Sequence, residues 1–365
     1  MNILIVSGSF FPTNSPRAFR TTELAKRFVK LGHQVNIVVP QIEYDYSSFL
    51  AEYPLRMVHY VRPVEKRKFI GVSIIDRIIF RVLNQFANYP DVLLMRSLQS
   101  VLKQEKFDYD LLISVAMPHT IHWTIGKLYS RKINLAKVWV ADCGDPYMLT
   151  DSGNYRPPFY FKWAEKKWCR LCNYITVPTS SSIKGYYPEF KDKIRVIPQA
   201  FNFDEVEKDA YKPHPIPTFA YSGSFIPNRR DLRPILDYLI GKGIRFRFII
   251  YTNQVHYFDS YKALMGEMLE IKQYIPRLEL LKILSTMDFL LNLDNGTNVQ
   301  TPSKLIDYAL TERPILSLDS QRLDTEKFDA FLNGDYSKKY VVESISQYDI
   351  NVVAQHFLDL CKESH

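Results

Sequence analysis

Apolar and polar positions along this chain follow two alternating periods. Short runs rich in Ile, Leu and Val at 2–7, 34–40, 111–115 and 138–142 are separated by stretches of helical spacing at 17–31 and 119–131. In 17–31, Ala18, Leu24, Ala25, Phe28 and Leu31 share one helical face, and Gly32 stands where a helix C-cap belongs. Alternation of this kind predicts βαβ units and a parallel, doubly wound sheet. The runs at 174–178 and 193–198 read as its last strands. The charged segment 204–217, with Pro213, Pro215 and Pro217, reads as a linker. The pattern then restarts, with strands at 218–222, 245–251, 288–293 and 314–318 and helices at 231–240, 280–286 and 302–310. The expected organisation is therefore α/β. Two Rossmann-like domains span 1–203 and 218–345, and a C-terminal helix within 346–365 is able to pack back on the first.

Composition narrows this picture. A chain of 365 residues, 46% of them hydrophobic, is long enough for two cores. Its longest apolar runs, 3–6 and 246–251, fall far short of the roughly 20 residues of a bilayer span. The first residues enter a strand without a basic leader, so a cytoplasmic location is expected. Four cysteines make no disulfide framework; Cys169 and Cys172 have the spacing of half a metal motif, but no second pair exists and core packing is expected. The formal net charge of +8 favours anionic partners without choosing among nucleic acid, lipid headgroups and phosphorylated substrates.

Doubly wound sheets bind ligands beyond the carboxyl ends of their strands, and three loops there carry chemistry. Gly8 and Ser9 follow the first strand but lack the full G-x-G-x-x-G spacing, which argues against a dinucleotide enzyme. Asp142 and Asp145 flank a turn after the strand at 138–142, a place where Asp commonly serves only to form the turn. In 298–310, Thr301 or Ser303 is placed to cap a helix with Pro302 in its first turn. Lys304 then sits beside free backbone amides, a combination suited to a diphosphate, and Asp307 lies one turn on, suited to ribose hydroxyls.

Several stretches, in order, resemble retaining glycosyltransferases of family 4, which have the GT-B fold. They are Gly8-Ser-Phe-Phe-Pro12 with Gly32-His-Gln-Val35; Ser114-Val-Ala-Met-Pro118; Asp142-Cys-Gly-Asp-Pro-Tyr147; Ala220-Tyr-Ser-Gly-Ser-Phe225; and Thr301-Pro-Ser-Lys-Leu-Ile-Asp307 through Pro314. The resemblance implies an active site in the cleft between the domains. It implies that Gly8 and Ser9 admit the donor phosphate, that Lys304, Ser303 and an arginine of Arg229-Arg230 neutralise the diphosphate, and that Asp307 holds the ribose. It also implies roles for His119 and Asp145 in catalysis and for Arg17 and Asp142 on the acceptor side. The chain departs from the pattern at Ser224, where many members carry Arg, and at Val299, where many carry Glu. Gln300 and Thr301 are then left to contact the donor sugar.

The implied reaction moves a sugar from a nucleotide diphosphate sugar to a glycan or lipid-linked hydroxyl with retention, as in bacterial surface-polysaccharide synthesis. Cations and helix-terminal amides would stabilise the leaving diphosphate, with no cofactor and no metal expected. Between 62 and 85, Lys66, Arg67, Lys68, Arg77 and Arg81 alternate with Phe69, Ile70, Ile74, Ile75, Ile78, Ile79 and Phe80, which reads as one basic amphipathic helix, suited to an anionic membrane surface or to facing the core with a solvated rim. The competing readings are a nucleotide-sugar epimerase of the same plan and a nucleic-acid-binding protein; no nucleic-acid motif is present, so no nucleic-acid partner is expected.

Overall fold

The computed structural model describes residues 1–62, 69–105, 108–149, 157–227, 230–294, 303–319 and 322–363. The chain divides into two compact units, one made of Met1–Phe201 with Tyr348–His365, the other of Asn202–Gln347.

The first unit holds a seven-stranded parallel sheet: β1 (Asn2–Ser7), β2 (Gln34–Pro40), β3 (Arg56–Tyr60), β4 (Tyr109–Val115), β5 (Ala136–Asp142), β6 (Tyr174–Val177) and β7 (Ile194–Val196). Their order is β3-β2-β1-β4-β5-β6-β7. Parallel strands covered on both faces carry unbroken apolar runs, and β1 shows why. Ile3 and Ile5 pack into a core with Leu24, Phe28, Val353 and Phe357, while Leu4 and Val6 pack into the opposite core with Leu98, Ile121 and Trp139. The Pro16–Lys30 helix starts where Ser15 accepts a hydrogen bond from the Ala18 amide at 3.2 Å, and Gly32 follows it at φ +81°, a conformation that favours glycine. The Ile350–Glu363 helix lies on the same core, after a bridge in which the Phe201 amide donates to Tyr348 and the Ile350 amide to Phe201.

The second unit holds β8 (Thr218–Ser222), β9 (Arg247–Tyr251), β10 (Leu269–Lys272), β11 (Phe289–Asp294) and β12 (Ile315–Asp319), all parallel, in the order β10-β9-β8-β11-β12. Its core centres on Phe219, whose ring lies 4.5 Å from that of Phe248 and 4.6 Å from that of Phe289. Residues 204–217 run in this unit: Tyr211 Oη donates to Asp288 Oδ1 at 2.8 Å, and the Thr218 amide donates to Asp288 Oδ2 at 2.7 Å.

The stretch expected as a single helix over 62–85 is corrected. Residues 63–68 lie outside the described residues, and the helix runs Ser73–Ala87. Its start is set by Asp76, whose carboxylate accepts from the amides of Phe69, Ile70 and Gly71, so that 69–71 is a capping turn. All four cysteines are buried free thiols; burial pushes Cys172 up to about 12 and raises Cys143 and Cys169 as well, which makes them inert packing groups. No helix among the described residues is long and apolar enough to cross a membrane.

Candidate functional site

In an open parallel sheet the loops diverge, and leave room for a ligand, where the strand order reverses. In the second unit that point lies between β8 and β11. A pocket of about 260 Å³ opens there, lined among others by Gly223, Arg230, Tyr274, Arg277, Lys304 and Asp307. Among the described residues its charged lining is three cations against one carboxylate, an imbalance suited to an anion. Lys304 enters from the first turn of the Ser303–Leu310 helix. Its Nζ stands 4.3 Å from the Tyr221 ring centroid and 5.6 Å from that of Tyr308, and among the described residues no carboxylate pairs with it. Burial pushes its ammonium down to about 7, and the Arg230 charge acts in the same direction.

Asp307 is three residues further along that helix. Arg277 holds it through Nε at 2.9 Å and Nη2 at 2.6 Å, both on Oδ1, and Oδ2 has no hydrogen-bond partner among the described residues. Burial raises its pKa and the Arg277 charge opposes that rise. The pair fixes one carboxylate oxygen and leaves the other to accept. Gly223 brings backbone to the pocket edge: its amide donates to Tyr251 O at 3.0 Å, and a Cβ there would stand 3.0 Å from Tyr221 Oη. Of the other residues expected at the donor, Arg229, Gln300 and Thr301 and the side chain of Ser303 lie outside the described residues.

The first unit reverses between β1 and β4, and there the loops after β1, β4 and β5 meet the Pro16–Lys30 helix. Gly8 faces the loop after β4 so closely that a Cβ would lie 2.4 Å from Pro118 Cδ and 2.7 Å from Met117 O. Packing alone thus requires a glycine here. Gly8→Ala is expected to destabilise the first unit by about 1–3 kcal/mol, read as a lowered midpoint of thermal unfolding; an unchanged midpoint would show that this loop yields freely. Ser9 is tied back, its amide donating to Ser7 Oγ at 3.3 Å and its carbonyl accepting from the same hydroxyl at 2.9 Å.

His119 is 5% exposed, with its ring 5.2 Å from that of Tyr147, and its Nδ1 has no partner among the described residues. Burial and the Arg17 charge hold the imidazole down to about 4 against a hydrogen bond to the Asp145 backbone, so the ring is neutral near pH 7. His122 lies deeper, between Ser114 Oγ at 2.9 Å and Cys143 Sγ at 3.4 Å, and is a core residue. The Asp145 side chain is exposed. Asp142 is 1% exposed with both oxygens engaged: Arg20 donates through Nη2 at 2.8 Å and Nε at 3.2 Å, Thr176 Oγ1 donates at 2.7 Å, and Arg17 Nη1 stands at 3.7 Å. Its geometry is that of an anchor for the two arginines rather than of a group facing a ligand. Arg17, 22% exposed, occupies the space that a side chain at Gly144 would fill.

The structure thus gathers Gly8, Arg17, His119, Asp142 and Asp145 in the first unit, and Arg230, Lys304 and Asp307 in the second. Two partners were not expected from the sequence. Arg20 is a buried cation that hydropathy assigns to solvent, and Arg277 is separated from Asp307 by 30 residues, so no local spacing joins them.

Two doubly wound units, each reversing its strand order once, make this a two-domain Rossmann-like fold. Among solved structures the chain is similar to a glycosyltransferase from Rickettsia africae, with a TM-score of 0.65 and 13% identity over 99% of this chain and 98% of that one. It is similar also to the lipopolysaccharide outer core galactosyltransferase WaaB in its apo form, with a TM-score of 0.59 and 11% identity over 100% of both chains. The UDP-GlcNAc 2-epimerase from Neisseria meningitidis bound to UDP-GlcNAc matches at a TM-score of 0.59 and 12% identity, again over 100% of both. At such identities the likeness is one of fold. No protein-family model and no curated protein matches the sequence significantly.

Proposed function

We propose that this protein is a cytoplasmic glycosyltransferase that moves a sugar from a nucleoside diphosphate sugar to a hydroxyl of a glycan or lipid-linked acceptor, with retention, in cell-surface polysaccharide synthesis. The observation that carries the reading is the cationic pocket at the β8–β11 reversal, with Lys304 on the first turn of a helix and Asp307 one turn behind it. In this reading Lys304, Arg230 and the amides at that helix start stabilise the charge that develops on the departing diphosphate. Asp307 Oδ2 accepts from the ribose while Arg277 keeps the carboxylate oriented. His119 is neutral at pH 7 and carries a buried nitrogen with no partner among the described residues, the kind of group a sugar hydroxyl entering this loop would satisfy, and Arg17 lies beside it on the acceptor side.

An epimerase shares this fold and is the second reading. Inversion at a sugar carbon bearing hydrogen needs groups that remove and return a proton. The described lining of the pocket holds a single carboxylate, bound to Arg277, which favours transfer.

Calorimetric titration with UDP, GDP, ADP and TDP tests the donor site. One of the four is expected to bind, with affinity about tenfold weaker in Asp307→Asn, and transfer from the matching sugar donor is expected to persist in EDTA. Failure of the folded protein to bind any of them would overturn the reading.

A further inference from the structure

The Ser73–Ala87 helix turns its apolar side away from the protein. Ile74, Ile78, Val82 and Phe86 are 62%, 55%, 49% and 58% exposed, and Ile70, at the capping turn, is 65% exposed. With Ile75 the helical ones span about 120° of the helix circumference. The Phe161–Leu171 helix adjoins this stripe, because Tyr160 Oη donates to Phe86 O. It adds Phe159 at 75% and Trp163 at 69% exposed, with their rings 6.0 Å apart. An apolar surface built from two helices exceeds the scattered single residues that solvent ordinarily meets.

Charge identifies the occupant. The acidic residues of these two helices, Asp76 and Glu165, are both buried, the first capping amides and the second accepting from Tyr187 Oη at 2.7 Å. Their exposed charges, Arg77, Arg81, Lys162, Lys167 and Arg170, are all basic. Apolar side chains rimmed by cations with no exposed acid between them, among the described residues of the two helices, match a bilayer interface carrying anionic headgroups: the side chains enter the acyl boundary and the cations remain at the phosphates. We infer that this face, Ile70 through Phe86 with Phe159 and Trp163, seats the protein on an anionic lipid surface. The inference goes beyond the transferase reading and does not depend on it.

Sedimentation with phosphatidylcholine vesicles and with equimolar phosphatidylcholine–phosphatidylglycerol vesicles tests it. Binding is expected to the second and not the first, weakening as salt rises. Arg77→Gln with Arg81→Gln is expected to reduce the partition coefficient by about fivefold per charge, and Ile78→Gln with Trp163→Ser to abolish binding. The other three of the four tryptophans are buried, so a blue shift of emission on adding anionic vesicles would report Trp163 leaving water. Absence of binding to either vesicle, or binding unaltered by Ile78→Gln with Trp163→Ser, would overturn the inference. So would a lipid-free dimer that this double variant converts to monomer, since a second copy would then be the occupant.

Discussion

Lys304→Ala is expected to weaken nucleoside diphosphate binding by about 100-fold, the amount that follows from losing one charge-assisted contact to a phosphate group. The effect should be large because the Lys304 ammonium lies against two aromatic rings and, among the described residues, no carboxylate neutralises it before the diphosphate arrives. Its depressed pKa of about 7 adds a signature. In the ligand-free protein the ammonium is lost as pH rises through that value, so affinity should fall by up to about tenfold per pH unit above it, with proton uptake on binding. Titrations between about pH 6 and pH 9, in buffers of different ionisation enthalpy, measure this; the same series on the variant subtracts the protonation of the ligand itself. The sign for stability follows from the same shift. The folded pKa lies below the ordinary 10.5, so the unfolded chain binds more protons between about 7 and 10.5, and this group makes stability rise with pH across that window. The alanine variant should lack that rise and remain folded. An affinity equal to that of the parent would remove Lys304 from the site.

Arg20→Ala is expected to destabilise the first unit by about 3–5 kcal/mol, since removal of one partner leaves Asp142 charged and buried. The corresponding calorimetric transition should fall by about 10 °C, with that of the second unit unmoved. Burial alone would push the Asp142 carboxyl up, but the Arg20 and Arg17 charges outweigh it and hold it below the usual range. The pair therefore contributes stability above the ordinary Asp pKa and loses it as pH falls through the lowered one. Double replacement by Arg20→Leu and Asp142→Leu should recover most of the loss, because both desolvation penalties vanish together. A single-variant loss under about 1 kcal/mol would show that water reaches the pair.

Most of the strands are legible as apolar runs because parallel strands buried on both faces leave no room for polar alternation. The strands without that signal are the sheet edges β3 and β10, where Arg56 and His59, and Glu270 and Lys272, interrupt the apolar residues. Lys304 and Asp307 are readable together because one helix carries both. Arg20 and Arg277 are not, because their meaning lies in contacts with β5 and with a helix made many residues later. Gly8 was visible as a loop glycine, but the reason for it, the approach of Pro118, is a tertiary one.

The way the chain returns to its starting unit affects how it is born. The Ile350–Glu363 helix completes the core that β1 and the Pro16–Lys30 helix begin, yet it is synthesised after the whole of Asn202–Gln347. On the ribosome the first unit therefore waits with the apolar face of the Pro16–Lys30 helix incompletely covered, while the second has all its strands and can fold. The bridge between Phe201 and Asp349 forms only once both flanks of that insertion have emerged. Nascent chains arrested before Ile350 should accordingly be the ones that attract chaperones, and the part made first should be the last to close.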